Sequence, residues 1–446
     1  MTLAILVRRS RTLRLLCLVL VLTPPGVLLA EDVVTGDTDP TPSELCDSGI
    51  APEDNANTSE QAGVNTPDED CMQATPEVIE VARQEITAEI TEDTQSAHSL
   101  RTLLLGRNYI FFGRVGLEYA AYSGDIPSTE NGGNLRRLRV GIAGLATFFD
   151  RLSYKLELDL TDGTNNLSDL YMQWDFRKHG SIRVGNQRVS QNLSAMTSSL
   201  SQLFMERPLP VTTFSMRRRL AVSYDVDRGR WGMHGMFFGR DVNNDAGKYG
   251  GAFRLITKPI HGPEQIGHIG LSLISEKMDR EARYRTLPES RVTDFRLVDT
   301  GILDDVLYQH TVGIELAGGK DASSMRLELF RSRWEREEGR RNTFNGAYLE
   351  IGHFLTGQNF NYKKGKFVRP QLEQGTRAWE IGLRASWVDL NDRDVRGGEQ
   401  VNFGAALNYY RRPDLRFMVN LLRFKTDSVA GDDRGWILQT RVQFNR

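Results

Sequence analysis

The chain has 446 residues, of which 39% are hydrophobic, 9% aromatic and 26% charged, and its formal net charge is −2. This composition excludes a polytopic helical membrane protein, which needs repeated apolar runs of about 20 residues, and it excludes disorder along most of the chain. The length fits two or three soluble domains or one large all-β domain.

Residues 1–30 have the organisation of a secretory signal peptide. Four arginines and no acid precede a short apolar stretch at residues 15–22, and a small residue, Ala30, ends the segment. A membrane-anchor helix is the alternative, but Pro24, Pro25 and the short apolar core argue against it. We therefore predict that the mature protein works outside the cytoplasm.

The segment that follows, residues 31–75, is predicted to be an acidic disordered tail. It consists mainly of Asp, Glu, Thr, Pro, Asn and Gly, and residues 31–100 together hold 18 acids and one base. Cys46 and Cys71 lie in this tail and form a candidate disulfide in an oxidising compartment.

Residues 76–100 are predicted to contain a short amphipathic helix. Apolar residues recur there at intervals of three or four, namely Val78, Ile79, Ala82, Ile86 and Ile90. A brief coiled-coil seam is one interpretation, but fewer than three heptads give it little support. A solvated helix at the start of the domain fits the pattern at least as well.

The charge of the remaining segment, residues 101–446, has the opposite sign. It contains 51 bases and 40 acids, a net charge of +11 that cancels the acidic tail in the total. Nucleic acid is the usual partner of such a basic body, but export argues against it. Anionic solutes and lipopolysaccharide phosphates are the better candidates.

Segments of about ten residues in this basic body alternate between apolar and polar residues. In residues 152–160 every even position is apolar and nearly every odd one is polar, which is the pattern of a membrane-spanning β-strand. Such segments begin near Tyr109, Leu135, Leu152, Leu167, Ser181, Arg219, Trp231, Tyr249, Ile266, Tyr308, Ser324, Phe344, Trp379, Val401, Leu415 and Trp436. We therefore predict an all-β fold, a transmembrane antiparallel β-barrel of about sixteen strands spanning residues 101–446.

A soluble β-rich binding protein or hydrolase also shows alternating strands, so two further features decide between the classes. Aromatic residues collect at strand ends, for example at Trp174, Trp379 and Trp387, and the polar face is charged on nearly every strand. One detail disagrees: sixteen strands place residues 356–377 at the end where turns are short. We therefore expect an error in the strand assignment between Glu276 and Tyr308.

Several short motifs within residues 105–444 are shared with a known family. They include Leu138-Arg-Val-Gly, Tyr154-Lys-Leu-Glu-Leu-Asp and Gly404-Ala-Ala-Leu-Asn-Tyr-Tyr. The most specific is the motif Phe204, Met205, Glu206, Arg207, Pro208, Leu209 and Pro210. In these motifs the chain resembles the phosphate-selective porin O and P family of Gram-negative outer membranes.

The resemblance implies a sixteen-stranded barrel in the outer membrane, usually trimeric, with a channel for anions such as phosphate that an inward-folded third loop narrows at the Phe204 motif. The family associates phosphate selectivity with lysines at this constriction. Residues 189–216, the predicted third loop, contain no lysine and a single arginine, Arg207. Anion preference is therefore expected, whereas the preferred anion stays open.

Strand parity and the constriction motif indicate which bases line the channel. The candidates are Arg114, Arg137, Arg139, Lys155, Arg183, Arg207, Arg217, Arg218, Arg219, Arg254, Arg384 and Arg441. Arginine suits this role because its charge is permanent and its planar fork matches oxyanions. The alternative is that each base pairs with a lumenal acid, since Glu118, Glu157, Asp159, Asp169, Asp175, Asp225 and Glu380 share the same face.

Two basic clusters have two interpretations each. Arg217, Arg218 and Arg219 follow the predicted constriction loop and form either a funnel toward the narrow zone or a strand-end contact with the membrane interface. The second cluster lies in a connection and binds lipopolysaccharide phosphates or gathers anions at the channel mouth; its members are Lys363, Lys364, Lys366 and Arg369.

Enzyme signatures find little support in the sequence. The nucleophile elbow, the zinc-protease motif and the P-loop are all missing, and the seven histidines are scattered. An acidic turn at residues 389–394 lacks the spacing of a calcium loop. We therefore predict no catalytic residues, no metal and no cofactor, and a passive porin in place of an enzyme.

Overall fold

The computed structural model describes residues 109–126, 130–146, 149, 151–161, 166–176, 180–242, 248–262, 264–373, 375–428 and 431–446. The predicted signal peptide, acidic tail, helix and Cys46–Cys71 pair lie outside these residues. Contacts divide the chain after Thr75, and every described residue belongs to the second of the two units.

The described residues form a closed barrel of sixteen antiparallel strands, as the sequence predicts. In chain order these are β1 (Tyr109–Gly124), β2 (Gly132–Leu145), β3 (Leu152–Asp159), β4 (Asn166–Asp175), β5 (Ser181–Arg188), β6 (Arg218–Asp227), β7 (Trp231–Phe238), β8 (Tyr249–His261), β9 (Gln265–Ala282), β12 (Leu303–Lys320), β13 (Ser323–Arg336), β14 (Arg341–Phe354), β17 (Ala378–Asp392), β18 (Val395–Arg412), β19 (Leu415–Asp427) and β20 (Arg434–Asn445). Strand β1 pairs with β20, with Val115 opposite Phe444, and closes the barrel.

Two small hairpins lie outside the barrel sheet. Strands β10 (Arg285–Thr286) and β11 (Val298–Asp299) pair with each other, as do β15 (Asn361–Lys363) and β16 (Lys366–Val368). The helical residues are few: α1 (Leu193–Met196), α2 (Leu209–Phe214) and a 3-10 turn at Glu337–Gly339. No helix in the described residues is long and apolar enough to cross a membrane.

The two faces of the strands differ as the alternation predicts. Along β9, Ile269, Leu271 and Leu273 point outward and are exposed, whereas His268 and Glu276 are buried inside the barrel. Exposed aromatic side chains lie near both rims, with Phe111, Trp174, Trp231, Trp379 and Phe417 at one end and Phe237, Tyr249, Tyr308 and Trp436 at the other. Trp387 departs from this pattern because it is buried and its indole donates to Glu399 over 2.6 Å.

The barrel has a turn end and a loop end. Connections at the turn end, where β1 begins and β20 finishes, are mostly short, for example residues 321–322 and 413–414. Connections at the loop end include residues 189–217, called loop 3 below, and residues 283–302, called loop 5. Short turns are typical of the periplasmic end of a membrane barrel and long loops of its outer end.

One long connection breaks this rule, and it corrects an expectation. Residues 355–377, called the turn insertion below, join β14 to β17 at the turn end. Between Glu276 and Tyr308, β12 begins at Leu303, five residues before its predicted start, and the unpredicted strands β10 and β11 lie in loop 5. The number of barrel strands is nevertheless sixteen, so the long connection does not come from a miscounted strand. The insertion is long because its β15–β16 hairpin folds into the barrel, where Phe367 packs against Leu193 of loop 3.

Loop 3 also folds inward and packs against one side of the barrel wall. Leu203 and Phe204 join a buried cluster with Leu422 and Phe424 of β19. The helix α2 supplies Leu209, Val211 and Phe214 to a second cluster, which also contains Trp334, Phe344 and Tyr348. The interior is therefore filled on the side of β13–β20 and less so on the side of β1–β6.

Candidate functional site

The inward position of loop 3 depends on the carboxylate of Glu206. Its Oε1 accepts from Nε of Arg136 over 2.7 Å and from Nη2 of Arg441 over 2.6 Å, and its Oε2 lies 3.2 Å from Nε of Arg291 in loop 5. Arginine forks bind carboxylates through several strong hydrogen bonds at once. Glu206 therefore joins loop 3 to two wall strands and to loop 5.

Three wall arginines also hold the backbone of loop 3; they are called the anchor arginines below and are Arg384, Arg416 and Arg441. They donate to loop carbonyls: Arg441 to Met205 over 2.6 Å, Arg384 to Glu206 over 2.9 Å and Arg416 to Gln202 over 2.9 Å. Each also pairs with a carboxylate of the wall or of loop 5. The sequence assigns Arg384 and Arg441 to the channel lining, but their contacts are with loop 3.

The charge state of Glu206 gives a pH prediction. Burial opposes its ionisation, but Arg136 and Arg441 outweigh that effect and hold the pKa of Glu206 well below its usual range. A depressed pKa stabilises the fold fully above the ordinary carboxyl pKa of about 4.3, and this stabilisation is lost as the pH falls through the lower folded-state pKa.

We therefore expect single-channel conductance to stay constant from about pH 8 to about pH 5, with an increase only in more acidic solution, where loop 3 is released. Conductance in planar bilayers, recorded at constant salt over this range, measures the effect. A conductance step at about pH 6.5, where an unperturbed histidine titrates, would contradict the role assigned to Glu206.

Loop 5 adds a second carboxylate, Glu289, to the same side of the lumen. Its Oε2 lies 2.9 Å from Nη1 of Arg384, and its Oε1 accepts from the backbone N–H of Leu209 over 3.0 Å and from the hydroxyl of Ser386. Loop 5 therefore contacts loop 3 through Glu289, which fixes the start of α2.

The opposite end of loop 3 is fixed by Glu328 of β13. Its carboxylate accepts from the backbone N–H groups of Leu193 and Ser194 over 3.0 and 2.8 Å, and from the hydroxyl of Tyr348. Arg207 lies inside the loop and donates to the carbonyls of Ser194 and Thr197 over 3.2 and 3.0 Å. Arg207 thus links the two halves of loop 3.

A cavity of about 130 Å³ lies between loop 3, the turn insertion and the wall strands β1 and β3–β6. Six basic side chains line it, and we call it the basic cavity; they are Arg114, Lys155, Arg183, Arg188, Arg218 and Lys366. One acid, Asp169, lies among them. The remaining lining side chains are neutral, so positive charge dominates the cavity.

The bases of the cavity are held in place by specific contacts. Lys155 Nζ lies 2.9 Å from Asp169, and Arg218 Nε contacts the other oxygen of the same carboxylate over 2.5 Å. Arg114 pairs with the buried Glu157 over 2.6 Å. The guanidinium of Arg183 lies 4.4 Å above the ring of Tyr171, a cation–π contact that orients the charge without neutralising it.

Two of the other predicted bases, Arg139 and Arg254, pair with acids on the wall. Arg139 bonds to Glu157 over 2.9 Å and to Asp159 over 2.7 Å, and Arg254 forms a two-pronged pair with Glu315 at 2.8 and 2.7 Å. These contacts agree with the alternative that individual bases pair with lumenal acids.

The run Arg217–Arg219 does not act as one unit. Arg218 lines the basic cavity, Arg219 Nη2 lies 3.1 Å from Glu276, and Arg217 is exposed where loop 3 ends. Of the three, Arg218 alone lines the basic cavity.

Sequence reasoning missed Arg136 because of a β-bulge. The register between β1 and β2 shifts at Gly116 and Leu117, so Gly116 faces Arg137 and Leu117 faces Leu135, and Arg136 is the extra residue. Strand parity alone places Arg136 outside the barrel, but the bulge turns it inward beside Arg137. A glycine opposite two adjacent arginines is the sequence signal that indicates this bulge.

The turn insertion contributes Lys366 to the cavity and is itself docked on the wall. Tyr362 hydroxyl hydrogen-bonds with Nδ1 of His268, and Gly365 carbonyl accepts from Arg254 over 2.9 Å. The insertion joins two strands at the turn end, and its hairpin lies inside the barrel, whereas lipopolysaccharide occupies the outer leaflet. This placement favours the second interpretation of the Lys363–Arg369 cluster, which is the gathering of anions at the mouth.

Gly365 gives a prediction for this docking. Lys364 and Gly365 form the hairpin turn with φ of 44° and 79°, and a Cβ on Gly365 would lie 2.3 Å from Cδ1 of Ile256. We expect Gly365→Val to displace the hairpin from the wall and to speed trypsin cleavage at Lys363–Lys366 by about tenfold in detergent-solubilised protein.

Gly375→Val is the matched control, because Gly375 lies in the same insertion, has φ of 87° and has nothing within 4 Å of the place where a Cβ would lie. Equal cleavage rates in the two variants would show that the contact with Ile256 does not hold the hairpin.

The comparison with known proteins now decides the family. A family model described as phosphate-selective porin O and P matches residues 105–445. The chain belongs to this family. Membership and the sixteen-stranded barrel indicate a channel rather than an enzyme, and they place the protein in the outer membrane of Gram-negative bacteria.

Individual relatives agree with this assignment. An uncharacterised protein of Caulobacter vibrioides is 30% identical over 315 residues, which cover 65% of this chain and 62% of that protein. Two solved structures share the fold at 11% identity and a TM-score of 0.50, each covering 76% of this chain and 99% of the other. They are an anion-selective porin from Comamonas acidovorans and OmpT of Vibrio cholerae in its trimer form.

Metal chemistry finds no site in the described part of the chain. No group of three or more His, Cys, Asp or Glu side chains there is arranged to hold an ion. In the acidic turn at residues 389–394, the carboxylate of Asp394 is engaged by protein groups: it pairs with Arg336 over 2.5 Å and accepts from Asn342 over 3.0 Å.

Proposed function

We propose that this porin conducts small anions passively through the basic cavity. The supporting observation is the charge of the lining, six bases against one acid, in a cavity bounded by loop 3, the turn insertion and the barrel wall. A charged ring at a constriction selects ions of opposite sign without any reaction chemistry. In this proposal the arginine-lined constriction lies in the basic cavity, between loop 3 and strands β3–β6.

Within this proposal, phosphate and polyphosphate-like solutes are the preferred anions. The family description supports this choice, as does the mixed lining of guanidinium and ammonium groups, which binds oxyanions through both planar and point-charge donors. The lysines missing from loop 3 are replaced in this scheme by Lys155 of β3 and Lys366 of the turn insertion.

The test of the proposal is the reversal potential in a planar bilayer with a potassium chloride gradient. We expect the sign of an anion-selective channel, and a fall in chloride current when inorganic phosphate is added at millimolar concentration. A cation-selective reversal potential overturns the proposal. Chloride selectivity without any block by phosphate restricts it to small anions in general.

We also propose that the protein is a homotrimer. The trimer form of OmpT supports this assembly, and so does the family resemblance. Native mass spectrometry in detergent should give three protomers per particle; a stable monomer that retains heat-modifiable gel mobility would contradict it.

A further inference from the structure

The outer surface of the barrel changes character toward the loop end of β8, β9 and β12–β14. The pairing register aligns outward residues into rows, and one row contains Leu255, Leu271, Ile314 and Leu329. Three rows nearer the loop end, this apolar surface has given way to Lys277, Tyr308 and Glu335. The chemistry of the outward face thus changes from hydrocarbon to charge within three rows, or about 20 Å.

The charged rows carry more bases than acids. Their outward bases are Lys277, His310, Arg331, Arg333 and Arg341, and Glu335 is the acid among them. Glu335 is shared, at 3.3 Å from Arg333, 3.8 Å from His310 and 4.0 Å from Arg341. Arg331 has no hydrogen bond or ion pair in the part of the chain that the structure describes.

The position of Arg331 is unusual for an unpaired charge on a membrane protein. It lies one row from Leu329 and Ile314, which are 41% and 44% exposed and face lipid, and its strand neighbours in its own row are Val312 and Asn345. A base at the lipid boundary of a barrel is destabilising unless it reaches an interfacial partner.

Two further features fit a phosphorylated lipid at this place. Tyr249 and Tyr308 flank Lys277, whose Nζ lies 5.6 Å from the ring of Tyr249, and such aromatic–basic rims sit at headgroup level. Ser275 and Thr343 add hydroxyl donors in the row between Arg331 and Lys277. The loop end faces the outer leaflet, whose lipid carries phosphates directly above its acyl chains.

We propose that this patch, formed by Lys277, Arg331 and Arg333 with their neighbours, is a binding site for the phosphates of lipopolysaccharide. The phosphorylated sugar headgroup lies against the charged rows, and the acyl chains lie on the apolar surface that includes the row of Leu271, Ile314 and Leu329. The patch is separate from the basic cavity because it is on the opposite face of the wall.

The experiment compares binding of two probes to the full barrel in detergent: diphosphorylated lipid A in mixed micelles, and the same lipid with its phosphates removed. We expect the wild type to prefer the phosphorylated lipid. The triple variant Lys277→Gln, Arg331→Gln, Arg333→Gln should bind it at least about tenfold more weakly, since each base near an anionic lipid surface contributes about fivefold.

The control removes three exposed bases at the turn end, Arg228→Gln, Arg230→Gln and Arg411→Gln. The proposal is overturned if the Lys277, Arg331 and Arg333 triple variant binds phosphorylated lipid A as tightly as the wild type. It is also overturned if the wild type binds both lipids equally, or if the control loses as much affinity as the triple variant. The single variant Arg331→Gln, expected to bind several-fold more weakly, serves if the triple variant does not fold. Bilayer reversal potentials should be the same in all of them, which separates this site from anion conduction.

Discussion

Replacing Arg183 and Lys366 by glutamine is expected to remove most of the anion preference of the channel. Both side chains line the basic cavity, and neither holds the backbone of loop 3 through the contacts described above. A unit charge about 4 Å from an ion in water is worth about 1 kcal/mol. We therefore expect the chloride-to-potassium permeability ratio to fall on the order of fivefold for each charge removed.

Reversal potentials in asymmetric potassium chloride measure this ratio directly. The matched control is Arg228→Gln with Arg411→Gln, two exposed bases at the turn end of the barrel. It changes the net charge equally but leaves the cavity intact, so its reversal potential should equal that of the wild type. If the control shifts as far as the cavity variant, long-range charge and not the cavity sets selectivity.

Replacing Glu206 by alanine is expected to release loop 3 from the wall and to widen the channel. The substitution removes the loop 3 carboxylate that Arg136 and Arg441 share and leaves them with Glu118 of the wall as their acidic partner. Removing one partner of a buried ion pair costs about 3–5 kcal/mol. The hydrogen-bond ladder of the barrel does not involve this carboxylate, so the strands stay closed while the loop loses its inner position.

Single-channel conductance should rise at least about twofold in the Glu206→Ala variant, because the released loop no longer fills part of the lumen. Glu264→Ala, an exposed acid at the turn end, is the control and should conduct like the wild type. Wild-type conductance in the Glu206 variant would show that the anchor arginines alone hold the loop.

Much of the barrel follows from the sequence because its physics is local. A strand between lipid and water needs an alternation of period two, and this repeats in each of the sixteen segments. The start of β3 at Leu152 and the start of β17 near Trp379 follow from that pattern within a residue. The family resemblance adds the inward course of loop 3, which alternation does not indicate.

The division of labour among the arginines does not follow from the sequence. Parity places Arg183 and Arg384 on the same lumenal face, yet one lines the cavity and the other holds loop 3. What separates them is which side of the barrel the loop packs on, and this depends on contacts such as Phe204 with Leu422, which are far apart in the chain. Tertiary packing of this range leaves no local pattern.

The anchor arginines have a consequence for the order in which the protein assembles. Loop 3 follows the fifth strand, but Arg384, Arg416 and Arg441 come from β17, β19 and β20, which are made well after it. During insertion into the membrane the part of loop 3 around Met205 and Glu206 lacks these three contacts until β17, β19 and β20 are in place. The inward course of this part of loop 3 is therefore completed in the same step that completes the wall.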